Sequence, residues 1–158
     1  MSAPASTVPA VKRYLADQIQ DTLNSIPVPA GNPAPIVFYD VPGQYRPNDM
    51  VAVGHTYQRV VRPMAMVGSG GTGWLQEEYE LEIVTDVFRA GESLQVEAYE
   101  RAYQLNDVVE QVVRDDPSLG GLVIVAMPHF SFDGSEWEKD HKGYLVTIVN
   151  RLQILARI

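Results

Sequence analysis

The segment RDDPSLGGLVIVA, Arg114–Ala126, carries three changes of conformation within thirteen residues. A helical pattern runs up to it, and Pro117 pushes Asp116 out of the helical region. Gly120 and Gly121 then permit a sharp reversal, and an apolar run follows. Upstream, Ala98, Ala102, Leu105, Val109 and Val112 recur at steps of four and three, so a helix with one buried stripe is predicted from about Ser93, whose hydroxyl is placed to cap it. Downstream, Leu122–Met127 is predicted as a buried strand and Pro128–Lys142 as a polar loop. Gly143–Ile158 is predicted as a last strand, with Tyr144, Val146, Ile148, Leu152 and Ile154 marking it.

Before this helix lies the clearest strand of the chain, EEYELEIVTDVFR at Glu77–Arg89. Tyr79, Leu81, Ile83, Thr85 and Val87 alternate with Glu78, Glu80, Glu82, Val84, Asp86 and Phe88. One face therefore packs on helices, and the other meets water or a partner. Residues 62–76, RPMAMVGSGGTGWLQ, read as a long glycine-rich hairpin, and Met50–Tyr57, continuing towards Val61, as the strand leading into it. Ile36–Val41 is a further strand, reached through 27–35, whose four prolines exclude helix. The first helix starts after Thr7-Val8-Pro9, with Thr7 as capping hydroxyl and Pro9 in the first turn. Its stripe is Val8, Val11, Leu15, Ile19, Leu23 and Ile26, with Lys12, Arg13, Asp17, Gln20 and Asp21 off it. Residues 1–7 are expected to form a loose arm. The order predicts an α+β fold in one domain, residues 1–158: a mainly antiparallel sheet of about four to five strands with two helices on one face.

Composition narrows the function. The 158 residues are 46% apolar and 20% charged, enough for one domain with a real core. The longest apolar run, Leu122–Met127, is far short of the roughly 20 residues that span a bilayer, and MSAPASTVPA does not resemble a secretory signal. No membrane partner is expected, and assembly in the cytoplasm is. With no cysteine, disulfides and thiolate chemistry are excluded. A net charge of −8 and a pI near 4.7 argue against a protein that grips nucleic acid through phosphates.

Motifs for catalysis are weak. Gly68, Gly70 and Gly73 match GxGxxG, but a strand follows them where a dinucleotide site needs a helix N-terminus. His55, His129 and His141 lack metal-ligand spacing. The carboxylate pairs Glu77-Glu78 and Asp115-Asp116 are sequence neighbours that diverge on a strand or sit at a helix end. No catalytic, cofactor or metal residue is assigned, and an enzyme is not expected. Met64, Met66, Val67, Trp74 and Leu75 are many apolar groups for one hairpin, and they are candidate interface residues. Tyr99 and Tyr103 are secondary candidates. Glu78, Glu80 and Glu82 form either a solvated sheet face or an acidic surface with a role.

The strand EEYELEIVTDVFR, the helix from about Ser93, the DDPSLGG break and a closing strand together resemble the tail terminators, or tail completion proteins, of long-tailed bacteriophages, most strongly over Met50–Ala126. The resemblance implies a structural virion protein: a ring of six copies that caps the tail tube, stops its polymerisation and joins it to the head connector or stopper protein. DNA would pass through the lumen unbound, and Glu78, Glu80 and Glu82 would make an acidic wall there that repels phosphates. Strand edges and the 62–76 hairpin are the natural contact elements. Another neck or connector protein of the same particle, or a small cytoplasmic enzyme or ligand-binding domain, are the alternatives. The segments 27–47 and 128–142 depart from the family pattern.

Overall fold

In a computed structural model the chain forms two helices and five strands: α1 (Val8–Asn24), β1 (Ile36–Phe38), β2 (Asp49–Pro63), β3 (Leu75–Ala90), α2 (Gln95–Asp115), β4 (Val125–Glu138) and β5 (Gly143–Arg157). The structure describes residues 5–28, 30, 31, 33–43, 47–64 and 74–158. The strands form one sheet in the order β1-β2-β3-β5-β4. All pairings are antiparallel except β1 with β2, so the predicted α+β architecture stands, with the sheet mixed at one edge. β1 is also shorter than the predicted Ile36–Val41. The ladder between β3 and β5 runs without interruption from Gln76↔Arg157 to Ala90↔Gly143.

Both helices pack on the same face. Val11, Leu15, Ile19 and Leu23 of α1 join Ala98, Ala102, Leu105, Val109 and Val112 of α2 in one cluster, with the β3 residues Tyr79, Leu81, Ile83 and Val87 beneath. Each fully buried aliphatic side chain here contributes about 1.5–3 kcal/mol relative to exposure. The predicted stripes are therefore correct at their centres. Ile26 falls beyond the end of α1 and is exposed. Lys12, expected off the stripe, is buried instead: its ammonium meets Asp40 at 3.4 Å and lies over the Tyr39 ring. Gln20 also turns inward and accepts the Val37 N–H at 2.9 Å, so two polar residues of α1 hold the β1 segment in place.

Three local expectations fail. Neither helix has a side-chain cap from its predicted residue, because α2 begins after Leu94 rather than at Ser93, and the Thr7 hydroxyl is directed to Glu77. Ser6 and Thr7 are accordingly fastened to the sheet and are not part of a loose arm. Leu122–Met127 is not a buried strand: Val123 and Ala126 are buried, while Leu122, Ile124 and Met127 are exposed. Pro128–Lys142 is not a loop, since β4 continues to Glu138 before a short turn into β5. The backbone of β5 supplies the ladder that makes β4 a strand, and Pro128 is tolerated because β4 is at the sheet edge.

The Arg114–Ala126 break is a built joint. Asp116 accepts the Ser118 N–H and hydroxyl on one oxygen, and the Gly120 N–H at 2.8 Å on the other, with the Tyr14 hydroxyl of α1 at 3.3 Å. The Ser118 hydroxyl, followed by the Gly120 N–H, holds the Asp116 carboxyl below its usual range. Leu119 is fully buried, and the Ala126 N–H reaches back to the Pro117 carbonyl at 2.7 Å. Gly120 has φ +71°, and a Cβ there would meet the Tyr14 ring at 2.9 Å, so both conformation and space require glycine.

Candidate assembly surfaces

Two buried charge clusters fix the elements that carry the outer surfaces. At one end of the sheet the fully buried carboxylate of Asp49 receives Arg89 Nη1 at 2.5 Å and Arg101 Nε at 2.7 Å, joining β2, β3 and α2. At the other end Glu77 is completely buried. It accepts the Ser6 hydroxyl at 2.6 Å, the Thr7 N–H at 2.8 Å, the Thr7 hydroxyl at 2.6 Å and Arg59 Nε at 2.7 Å. Burial pushes the Glu77 carboxyl up, but these four donors outweigh it and hold the group below its ordinary value. The carboxylate thus sits at the N-terminus of α1, where the helix dipole also favours it. Beside it, burial pushes the Tyr79 hydroxyl up to about 12, and that hydroxyl lies 3.1 Å from the Thr7 hydroxyl.

The face opposite the helices is only partly covered. By register it carries Tyr57, Glu80, Glu82, Arg151 and Phe130 side by side. The Arg151 guanidinium lies between two rings, 4.2 Å from the Tyr57 centroid and 5.3 Å from that of Phe130. Its nitrogens approach Glu80 at 3.5 Å and Glu82 at 4.0 Å, and the Tyr57 hydroxyl donates to Glu82 at 3.0 Å. His129 stands 3.5 Å from Glu80, and Gln76 donates to Glu78. The three glutamates predicted as an acidic set do share this face, but Glu80 and Glu82 surround a cation, which reduces the negative field they project. Sequence reasoning missed Arg151. Its only signal was a basic residue within the last strand, and the pairing Glu82↔Arg151 appears only once the register is known.

β4 presents the other surface. From Met127 to Trp137 it is exposed on both faces, with Met127, Phe130, Phe132 and Trp137 among the large apolar side chains that meet solvent. Phe130 and Phe132 stack with centroids 6.2 Å apart, and Trp137 meets Tyr144 edge to face. Among the described residues no strand lies beyond β4, so its outer backbone edge has no ladder partner. Tyr103 extends from α2 and donates to Asp133, bracing the strand, whereas Tyr99 packs against the core.

The predicted hairpin interface is described only at its base. β2 and β3 remain paired as far as Pro63↔Leu75, and the Met64 N–H donates to the Trp74 carbonyl, so the excursion is narrower than residues 62–76. Met64 is exposed, while Trp74 and Leu75 are half-buried. Met66 and Val67 lie outside the described residues, as do Gly68, Gly70 and Gly73.

Concave sites offer little convergent chemistry. A groove of about 330 Å³ between the end of α1 and α2 is lined mainly by apolar groups such as Leu23, Ile26, Val28 and Leu105. A second, of about 230 Å³, brings Asp86, Glu138 and His141 near Phe88 and Leu145. Among the described residues no three His, Asp or Glu side chains converge as a metal site requires. No helix of the described residues is long and apolar enough to cross a membrane. The chain matches no protein-family model, and no curated protein matches it either.

Proposed function

We propose that this chain is a structural protein of a long-tailed bacteriophage particle: a tail terminator that closes into a ring of six, caps the tail tube and presents the surface joining it to the head connector. The observation that carries the reading is β4, a fourteen-residue edge strand with exposed aromatic side chains, whose outer backbone edge has no strand partner among the described residues. A sheet of this kind is an incomplete surface, since unpaired strand edges and contiguous apolar groups favour a protein partner. The element order and the sequence resemblance support the terminator reading over a general binding domain. Heterologous contacts around a rotation axis close a ring, and a ring that matches the tube on one face without offering a new tube surface on the other ends growth. Glu78, Glu80 and Glu82 enter this proposal as a lumen surface of modest negative charge, tempered by Arg151, past which DNA slides without specific binding.

Light scattering and electron microscopy of the purified protein, alone and with tail tubes, test the proposal. Rings of six that decorate tube ends and block their extension are expected. A protein that stays monomeric and ignores both tubes and connectors overturns it.

A further inference from the structure

We propose that Gln20 closes the β1 edge of the sheet: its side-chain amide stands in for a further strand and denies that edge to strands of other chains. β1 ends the sheet on one side and pairs with β2 through Ile36↔Met50, Val37↔Val51 and Phe38↔Ala52. The run Ile36-Val37-Phe38-Tyr39 is β-branched and aromatic without a charge, and Tyr39 and Val41 are 43% and 48% exposed. A strand of this composition at an open edge is a template for strand addition.

The Gln20 amide occupies that edge as a strand residue would. Its Oε1 accepts the Val37 N–H at 2.9 Å, and its Nε2 donates to the Pro35 carbonyl at 3.4 Å. In a parallel ladder one residue bonds in this way to the two neighbours of the residue it faces, here Ile36. Nε2 also donates to Asn24 Oδ1 at 3.0 Å, one turn along α1, which fixes the direction of the amide. Pro35 has no N–H to offer, so of the donors at 35 and 37 one is missing and the other is taken. Past the other end of β1, Lys12 reaches Asp40 and lies over the Tyr39 ring, which sets a charge beside the same edge. One face of α1 therefore serves two ends: its apolar stripe fills the core, and its polar side chains finish the sheet. Edge closure does not depend on the ring.

Hydrogen exchange followed by NMR, together with sedimentation velocity, tests this on the full chain. In Gln20→Leu the Val37 amide is expected to exchange about tenfold faster at low protein concentration, while amides of the β3–β5 ladder keep their protection. At higher concentration Gln20→Leu should form larger species than wild type, and Val37 exchange should slow again as a recruited strand replaces the lost acceptor. Gln20→Glu keeps an acceptor at this position and is expected to retain slow Val37 exchange and the wild-type sedimentation. Unchanged Val37 exchange in Gln20→Leu overturns the inference, as does faster exchange without a concentration effect. Loss of protection across the β3–β5 ladder as well makes Gln20 a general stabiliser of the fold, and that result also overturns it.

Discussion

At the scale of single residues, Glu77 is a charge held entirely inside the protein. Its carboxylate has no exposed surface and satisfies Arg59, Ser6 and two donors of Thr7, so it performs the capping role that Thr7 leaves undone. Glu77→Gln substitutes an amide whose own N–H groups face existing donors, and is expected to cost about 3 kcal/mol at neutral pH in urea unfolding. The folded carboxyl lies below the unfolded value of about 4.3, so the stability it supplies is complete above roughly pH 5 and is lost as pH falls through the folded value. The gap between wild type and Glu77→Gln should therefore be constant between about pH 6 and 7 and narrow below about pH 4. A gap that widens on acidification contradicts this account of the site.

At the scale of elements, Asp49 couples α2 to the sheet. Removing it by Asp49→Ala leaves Arg89 and Arg101 largely buried without their shared acceptor, a loss of about 3–5 kcal/mol and on the order of 10 °C in Tm. Calorimetry showing an unchanged Tm rules out a coupling role. The cluster was not legible in the sequence, because its members lie in three elements and meet only through tertiary packing. Element identity was legible wherever one face is buried: β3 alternates cleanly because helices cover its odd-numbered side, and both helical stripes follow the same rule. β4 was missed because most of it is exposed on both faces, so burial imposes no alternation, and Pro128, Asp133 and Gly134 read as loop residues. Phe130, Phe132 and Trp137 were the remaining signal there. At the candidate surfaces the sequence identified Glu78, Glu80 and Glu82 as one face but not the cation among them, since a strand pattern gives faces without giving neighbours.

At the scale of the whole molecule, a net charge of −8 sets the sign of any salt effect on the proposed ring. Like-charged copies repel, so self-association should strengthen between about 0.05 M and 0.5 M sodium chloride, because screening at that range falls to a few ångströms. Sedimentation velocity across a salt series reads the sign. Association that weakens with salt instead points to oppositely charged surfaces meeting.

The unbroken β3–β5 ladder gives the subunit a mechanical character. Fifteen consecutive pairs extend about 50 Å along one direction, without a bulge at which bending would concentrate. A pull applied lengthwise at opposite ends of these two strands loads all of those pairs in shear at once, whereas a pull across them opens the pairs one after another. The protein is thus stiffest along its strands. Were the proposed ring to form with its axis along them, this stiffness would lie along the axis on which its two faces are loaded.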